Sequence, residues 1–101
     1  MRIYISGPIT GTEDYKSRFL EAEKPIKAAG HTPMNPVEIV NLPEDSEWSD
    51  YMKVDLKVLE LCDAIYMLKG WPESRGAMIE FEYAYENRKI ICFEGGEIPN
   101  A

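Results

Sequence analysis

Residues 64–68 (AIYML) carry no charge and no alternation of polar with apolar positions. A strand that is apolar at nearly every position needs both faces of its sheet covered. That is the habit of parallel sheets joined by helical crossovers. The rest of the chain supplies the crossovers. Residues 2–6 (RIYIS) read as a strand ending at Gly7-Pro8, and Tyr15, Phe19, Ala22, Ile26 and Ala29 recur at steps of four and three, one face of a helix. Gly30 ends that helix, and Pro25 inside it predicts a bend. Residues 31–34 predict a second, weaker strand closed by Asn35-Pro36, and 37–45 a loop with a helical turn. Residues 47–62 predict a helix with Asp45 or Ser46 as its N-cap, on which Tyr51, Asp55, Val58 and Cys62 share a face. Residues 69–73 (KGWPE) predict a loop, 76–87 a helix with Ala77, Phe81 and Ala84 inward, and 90–93 (IICF) a fourth strand.

The predicted order is β-α-β-loop-α-β-α-β over one domain, residues 1–101, without repeats or low-complexity segments. In such sheets ligands bind at the carboxyl ends of the strands, where the strand order reverses. The loops leaving the first and third strands are therefore expected to face one crevice.

Charge narrows the ligand. Eighteen acids against eleven bases give a net charge of −7, which argues against a nucleic-acid polymer held by a diffuse basic surface. A small anion remains compatible, through a local preorganised site. No run approaches the roughly 20 apolar residues of a membrane span, and the N-terminus lacks a signal-peptide pattern, so a cytoplasmic setting is expected. Cys62 and Cys92 each follow apolar residues without CxxC spacing and are expected to be reduced core cysteines. One histidine, His31, beside Gly30, argues against a metal centre and for a turn residue. No metal or cofactor is expected.

Two loops carry unusual residues. Ser6-Gly7-Pro8-Ile9-Thr10-Gly11 spaces two glycines among hydroxyl residues, which suits backbone N–H groups aimed at an anion, though a plain strand-to-helix turn has the same composition. It matches neither the dinucleotide fingerprint nor the Walker loop. After the third strand, Ser74 opens a helix, where it serves as an N-cap or as part of an anion site with Arg75 and Gly76. Glu80, one turn further on and flanked by Ala77 and Ala84, is either a solvated acid or a nucleophile or base beside the strand ends. Asp55 interrupts an apolar stripe, so it is hydrogen-bonded for structure or faces a pocket. Two carboxylates from different helices over one crevice are what cleavage of a glycosidic bond requires. Tyr4 packs the sheet or orients a carboxylate.

The set Tyr4, residues 7–11 (GPITG), Asp55 and Ser74-x-Gly76-x-x-x-Glu80 resembles the nucleoside 2-deoxyribosyltransferase superfamily, in particular a small, mostly uncharacterised bacterial and phage branch of it. The resemblance covers about residues 2–93. It implies a flavodoxin-like α/β fold, three layers around a four- or five-stranded parallel sheet. It also implies that Glu80 is the nucleophile forming a covalent ribosyl intermediate, that Asp55 delivers a proton to the departing base, and that Tyr4 positions Glu80. Ser74 stands where the transferases carry an aspartate that reads the 5′-hydroxyl. A serine there resembles the 2′-deoxynucleoside 5′-phosphate N-hydrolases, in which it contacts phosphate. Family transferases complete their site with a neighbouring subunit's C-terminal tail, and this sequence stops soon after its fourth predicted strand, so that tail and a fifth strand are expected to be missing. Trp71 is a candidate stacking surface for the base, or else a loop anchor. A homodimer is expected, as the family generally forms.

The expected function is cleavage or transfer at the N-glycosidic bond of a nucleoside or deoxynucleoside 5′-monophosphate. The alternatives are a nucleotide-binding accessory module without turnover and an α/β assembly protein without a ligand.

Overall fold

A computed structural model describes residues 1–101. Four parallel strands, β1 (Arg2–Ser6), β2 (Thr32–Met34), β3 (Ala64–Met67) and β4 (Ile90–Phe93), form one sheet in the order β2-β1-β3-β4. The helices are α1 (Tyr15–Ala28), a four-residue α2 (Pro36–Ile39), α3 (Trp48–Glu60) and α4 (Arg75–Glu86). The chain is a flavodoxin-like α/β fold, with a four-stranded sheet between helical layers. No helix is long and apolar enough to cross a membrane.

The pleat of β1 divides the core. Ile3 and Ile5 face α1 and pack with Phe19, Ala22 and Ile26, while Tyr4 faces the other side with Leu59, Ala77 and Ala84 of α3 and α4. β3 is buried at every position, as its composition demands. Cys62 and Cys92 are free and buried, one in each core half.

α1 runs through Pro25 as one helix, as its periodicity predicts. Elsewhere the structure departs locally from the sequence expectation. α3 starts with Glu47 as N-cap, rather than Asp45 or Ser46, because Asp50 Oδ2 accepts the Glu47 N–H at 2.9 Å. Its buried stripe is Met52, Asp55 and Leu59, and Tyr51 is exposed. The loop after β3 holds a single 3-10 turn, Trp71–Glu73. His31 is buried, with Nδ1 3.0 Å from the Met1 amino group and Nε2 donating to the Pro99 carbonyl.

The sheet's order reverses between β1 and β3, so the loops leaving their carboxyl ends stand side by side. Leu68 N–H donates to Ser6 O at 2.8 Å and continues the pairing one residue past β3. A Cβ on Gly7 would lie 2.8 Å from Leu68 Cβ, and Leu68 is fully buried. Gly7→Ala is therefore expected to destabilise the fold by roughly 1–3 kcal/mol, read as a lower urea midpoint at unchanged slope. An unchanged midpoint would show that Leu68 yields freely.

Candidate active site

The two loops, α3 and the start of α4 enclose a cleft of about 950 Å³ at the reversal point. From the loop after β1 come Gly7, Pro8, Ile9 and Thr10; from the loop after β3 and the first turn of α4 come Gly70, Glu73, Ser74, Arg75 and Gly76. Asp55 and Glu80 both reach this space.

Glu80 lies on the inward face of α4, between Ala77 and Ala84, and is 5% exposed. The two alanines let the helix lie close to the sheet, which brings the Glu80 carboxyl over β1. There Tyr4 Oη donates to Oε2 at 2.6 Å, and Ser6 Oγ donates to Oε1 at 2.5 Å. Tyr4 and Ser6 are two residues apart on a strand and so share its face. No lysine or arginine pairs with Glu80. Both carboxylate oxygens are held by neutral hydroxyls alone.

That arrangement sets the electrostatics. Burial pushes the Glu80 carboxyl up from 4.5 to about 7; the hydroxyls of Ser6 and Tyr4 pull it back, and the charge on Asp55 adds to the rise. Burial raises Tyr4 well above its ordinary value, helped by the Glu80 charge, so at neutral pH its phenol stays a donor. Asp55 is 9% exposed and is pushed by burial from 3.8 to about 6. No polar atom of its side chain is left buried without a partner, and its carboxyl opens onto the cleft. Two carboxyls from different helices, each shifted toward neutrality, thus face one cavity. One is held in place, the other open to a ligand.

The electropositive side of the cleft is built from helix geometry. Ser74 is the N-cap of α4, its Oγ accepting the Ala77 N–H at 3.2 Å, and it also lines the cleft. The positive end of the α4 dipole therefore opens into the cavity, with Arg75 on its first turn. Lys16, on the first turn of α1, adds a second cation to the lining. No three histidine, cysteine or acidic side chains gather as a metal-binding set.

Three expected site residues stand elsewhere. Ser6 is 1% exposed and lies beneath Glu80, outside the anion loop. Gly11 takes a positive φ of 76° at an exposed turn and does not line the cleft. Trp71 stacks on Phe81 at 4.6 Å and tilts against Phe93 at 6.2 Å, and it does not line the cleft; it anchors the loop. The aromatic residues in the cleft are instead Tyr15, Trp48 and Tyr51. Trp48 and Tyr51 open α3 two turns and one turn before Asp55, and that helical spacing from an expected pocket acid was the available signal.

No curated protein sequence matches the chain. Among solved structures it is similar to a 2-desoxiribosyltransferase from Leishmania mexicana, with 18% identity, a TM-score of 0.68, and cover of 91% of this chain and 62% of that one. It is also similar to a 2-deoxyribosyltransferase from the psychrotolerant bacterium Bacillus psychrosaccharolyticus, with 22% identity, a TM-score of 0.72, and cover of 99% and 77%. The chain spans less than two thirds of the first of these relatives, and at such identities the likeness is one of fold. A family model matches residues 1–93, and on that match the chain belongs to the family described as domain of unknown function DUF4406.

Proposed function

We propose that the cleft binds a nucleoside 5′-monophosphate and breaks its N-glycosidic bond, releasing the sugar phosphate to water or passing it to a second base. One observation carries this reading. Glu80 is a buried carboxyl held by two neutral hydroxyls beside a cavity onto which Asp55 also opens. The fold shared with the two deoxyribosyltransferases supports it.

The chemistry divides between the two acids. Glu80 attacks C1′ as the carboxylate, the C1′–N bond breaks, and its electron pair leaves with the base. Asp55, as the acid, protonates the departing nitrogen. Water, or a second base, then attacks C1′ and frees Glu80, and Asp55 takes back the proton. Tyr4 and Ser6 hold Glu80 at the required angle and keep its charge tolerable. The 5′-phosphate lies against Gly7–Thr10 and the α4 N-terminus, where Ser74 and Arg75 meet it. A serine there spares the phosphate the repulsion an aspartate would bring.

Incubating the protein with the common ribo- and deoxyribonucleoside 5′-monophosphates is expected to release free base, detected by chromatography. Glu80 must be charged and Asp55 protonated. With the two carboxyls near 7 and 6, kcat/KM is expected to peak between those values and fall on both sides, the limbs belonging to the pair. Asp55→Asn should remove the alkaline limb. No base from any nucleotide, with the protein folded and stabilised by nucleotide, would replace the enzyme with a binding module.

A further inference from the structure

Trp48 is the first residue of α3 and is 42% exposed where the helix meets the cleft. Over its ring, 4.9 Å from the centroid, lies the guanidinium of Arg75, the first residue of α4. The indole also borders the α4 N-terminus, since a Cβ on Gly76 would lie 3.9 Å from both Cζ2 and Nε1 of Trp48. An anion site and an aromatic face are therefore adjacent, bridged by one cationic side chain that reaches both.

We infer that Trp48 is the surface on which the nucleobase stacks, and that Arg75 covers this surface until a 5′-phosphate draws it away. The inference rests on the nucleotide reading above and adds how the substrate is selected. A guanidinium is flat, and on indole it occupies the space a nucleobase takes. Both cannot lie on the same face. A phosphate at the α4 N-terminus offers Arg75 a charge-assisted, bidentate partner, stronger than an exposed ring. When the phosphate arrives, the guanidinium turns to it and the ring is freed for the base. A nucleoside without phosphate must displace Arg75 with nothing in return. The site thereby favours nucleotides twice, through the phosphate contact itself and through the uncovering of Trp48.

The test uses the full chain and tryptophan fluorescence, with Trp71, which does not line the cleft, as the second fluorophore. Thymidine and deoxyadenosine 5′-monophosphates are expected to quench saturably, and ribose 5-phosphate to bind without that quenching. Trp48→Leu should abolish the quenching and weaken nucleotide binding about 5- to 100-fold, the range for one stacked base. Arg75→Gln should weaken nucleotide binding yet improve binding of deoxyadenosine itself by about 2- to 5-fold, the cation–π contact no longer competing. Both side chains are exposed, and either variant alone decides the outcome. Unchanged nucleotide affinity in Trp48→Leu, or equal weakening of nucleoside and nucleotide in Arg75→Gln, would overturn the inference. Base release by wild type would survive that result, so the glycosidic reading stands or falls separately. Quenching without base release would remove the reaction and leave the stacking surface in place.

Discussion

Glu80→Gln is expected to lower base release by about 10⁴-fold or more, the scale seen when the group forming a covalent intermediate is removed. Glutamine keeps the shape of the side chain and removes its nucleophilicity, so nucleotide binding measured by thermal shift should persist. Tyr4→Phe and Ser6→Ala each delete one hydroxyl donor to the carboxylate. A hydrogen bond to a charged group contributes roughly 1.5–3 kcal/mol, so each should reduce kcat by about 10- to 100-fold. Each hydroxyl also pulls the Glu80 carboxyl down. Because Glu80 is the higher of the pair, losing one hydroxyl should move the alkaline limb of the pH profile to higher pH and lower its peak, a change of shape that mere loosening of the site would not produce. Brief incubation with nucleotide followed by acid quench should leave the sugar phosphate attached to the peptide containing Glu80, detected by mass. Release unaffected by Glu80→Gln would remove the nucleophile from the mechanism.

Much of the fold was legible because it depends on local pattern. Residues 64–68 demanded a sheet covered twice, and β3 is buried throughout. The helix steps from Tyr15 to Ala29 placed Phe19, Ala22 and Ile26 on the buried face of α1. What the sequence left open was decided by contacts between distant residues. Whether Glu80 is solvated turns on hydroxyls 76 and 74 positions away, on a strand whose place under α4 is a tertiary fact. Ser6 reads as part of the glycine loop because it precedes Gly7, although the two-residue period of the strand puts it beside Tyr4. The tryptophans show the same limit. Trp71 sits in the expected site loop yet packs on Phe81 outside the cleft, while Trp48, remote in sequence, lines the cleft with the two acids. Only the docking of α3 beside α4 distinguishes them.

The strain of keeping Glu80 buried should appear directly in the pH dependence of stability. Its carboxyl has a folded value of about 7 against 4.5 in an open chain. Folding therefore favours the protonated form, and the folded state binds more protons than the unfolded state between those two values. Stability from this group is complete below about 4.5 and is lost as pH climbs through 7. At 1.36 kcal/mol per pH unit, the shift corresponds to about 3 kcal/mol. Asp55, raised in the same direction, adds to the fall over a lower window. Glu80→Gln lacks the titration, so its melting temperature should change far less between pH 5 and pH 8 than that of the wild type. For a domain of this size the difference is on the order of 10 °C, with the variant the more stable at pH 8 relative to its own value at pH 5. Glutamine can accept from only one of Tyr4 and Ser6 at its single carbonyl oxygen, but that lost bond is a pH-independent offset and leaves the slope untouched. Parallel curves for the two proteins would mean that Glu80 titrates in the fold much as it does in water. The same burial that lowers stability at pH 8 keeps a carboxylate poorly solvated beside the cleft, the condition that the proposed attack on C1′ requires.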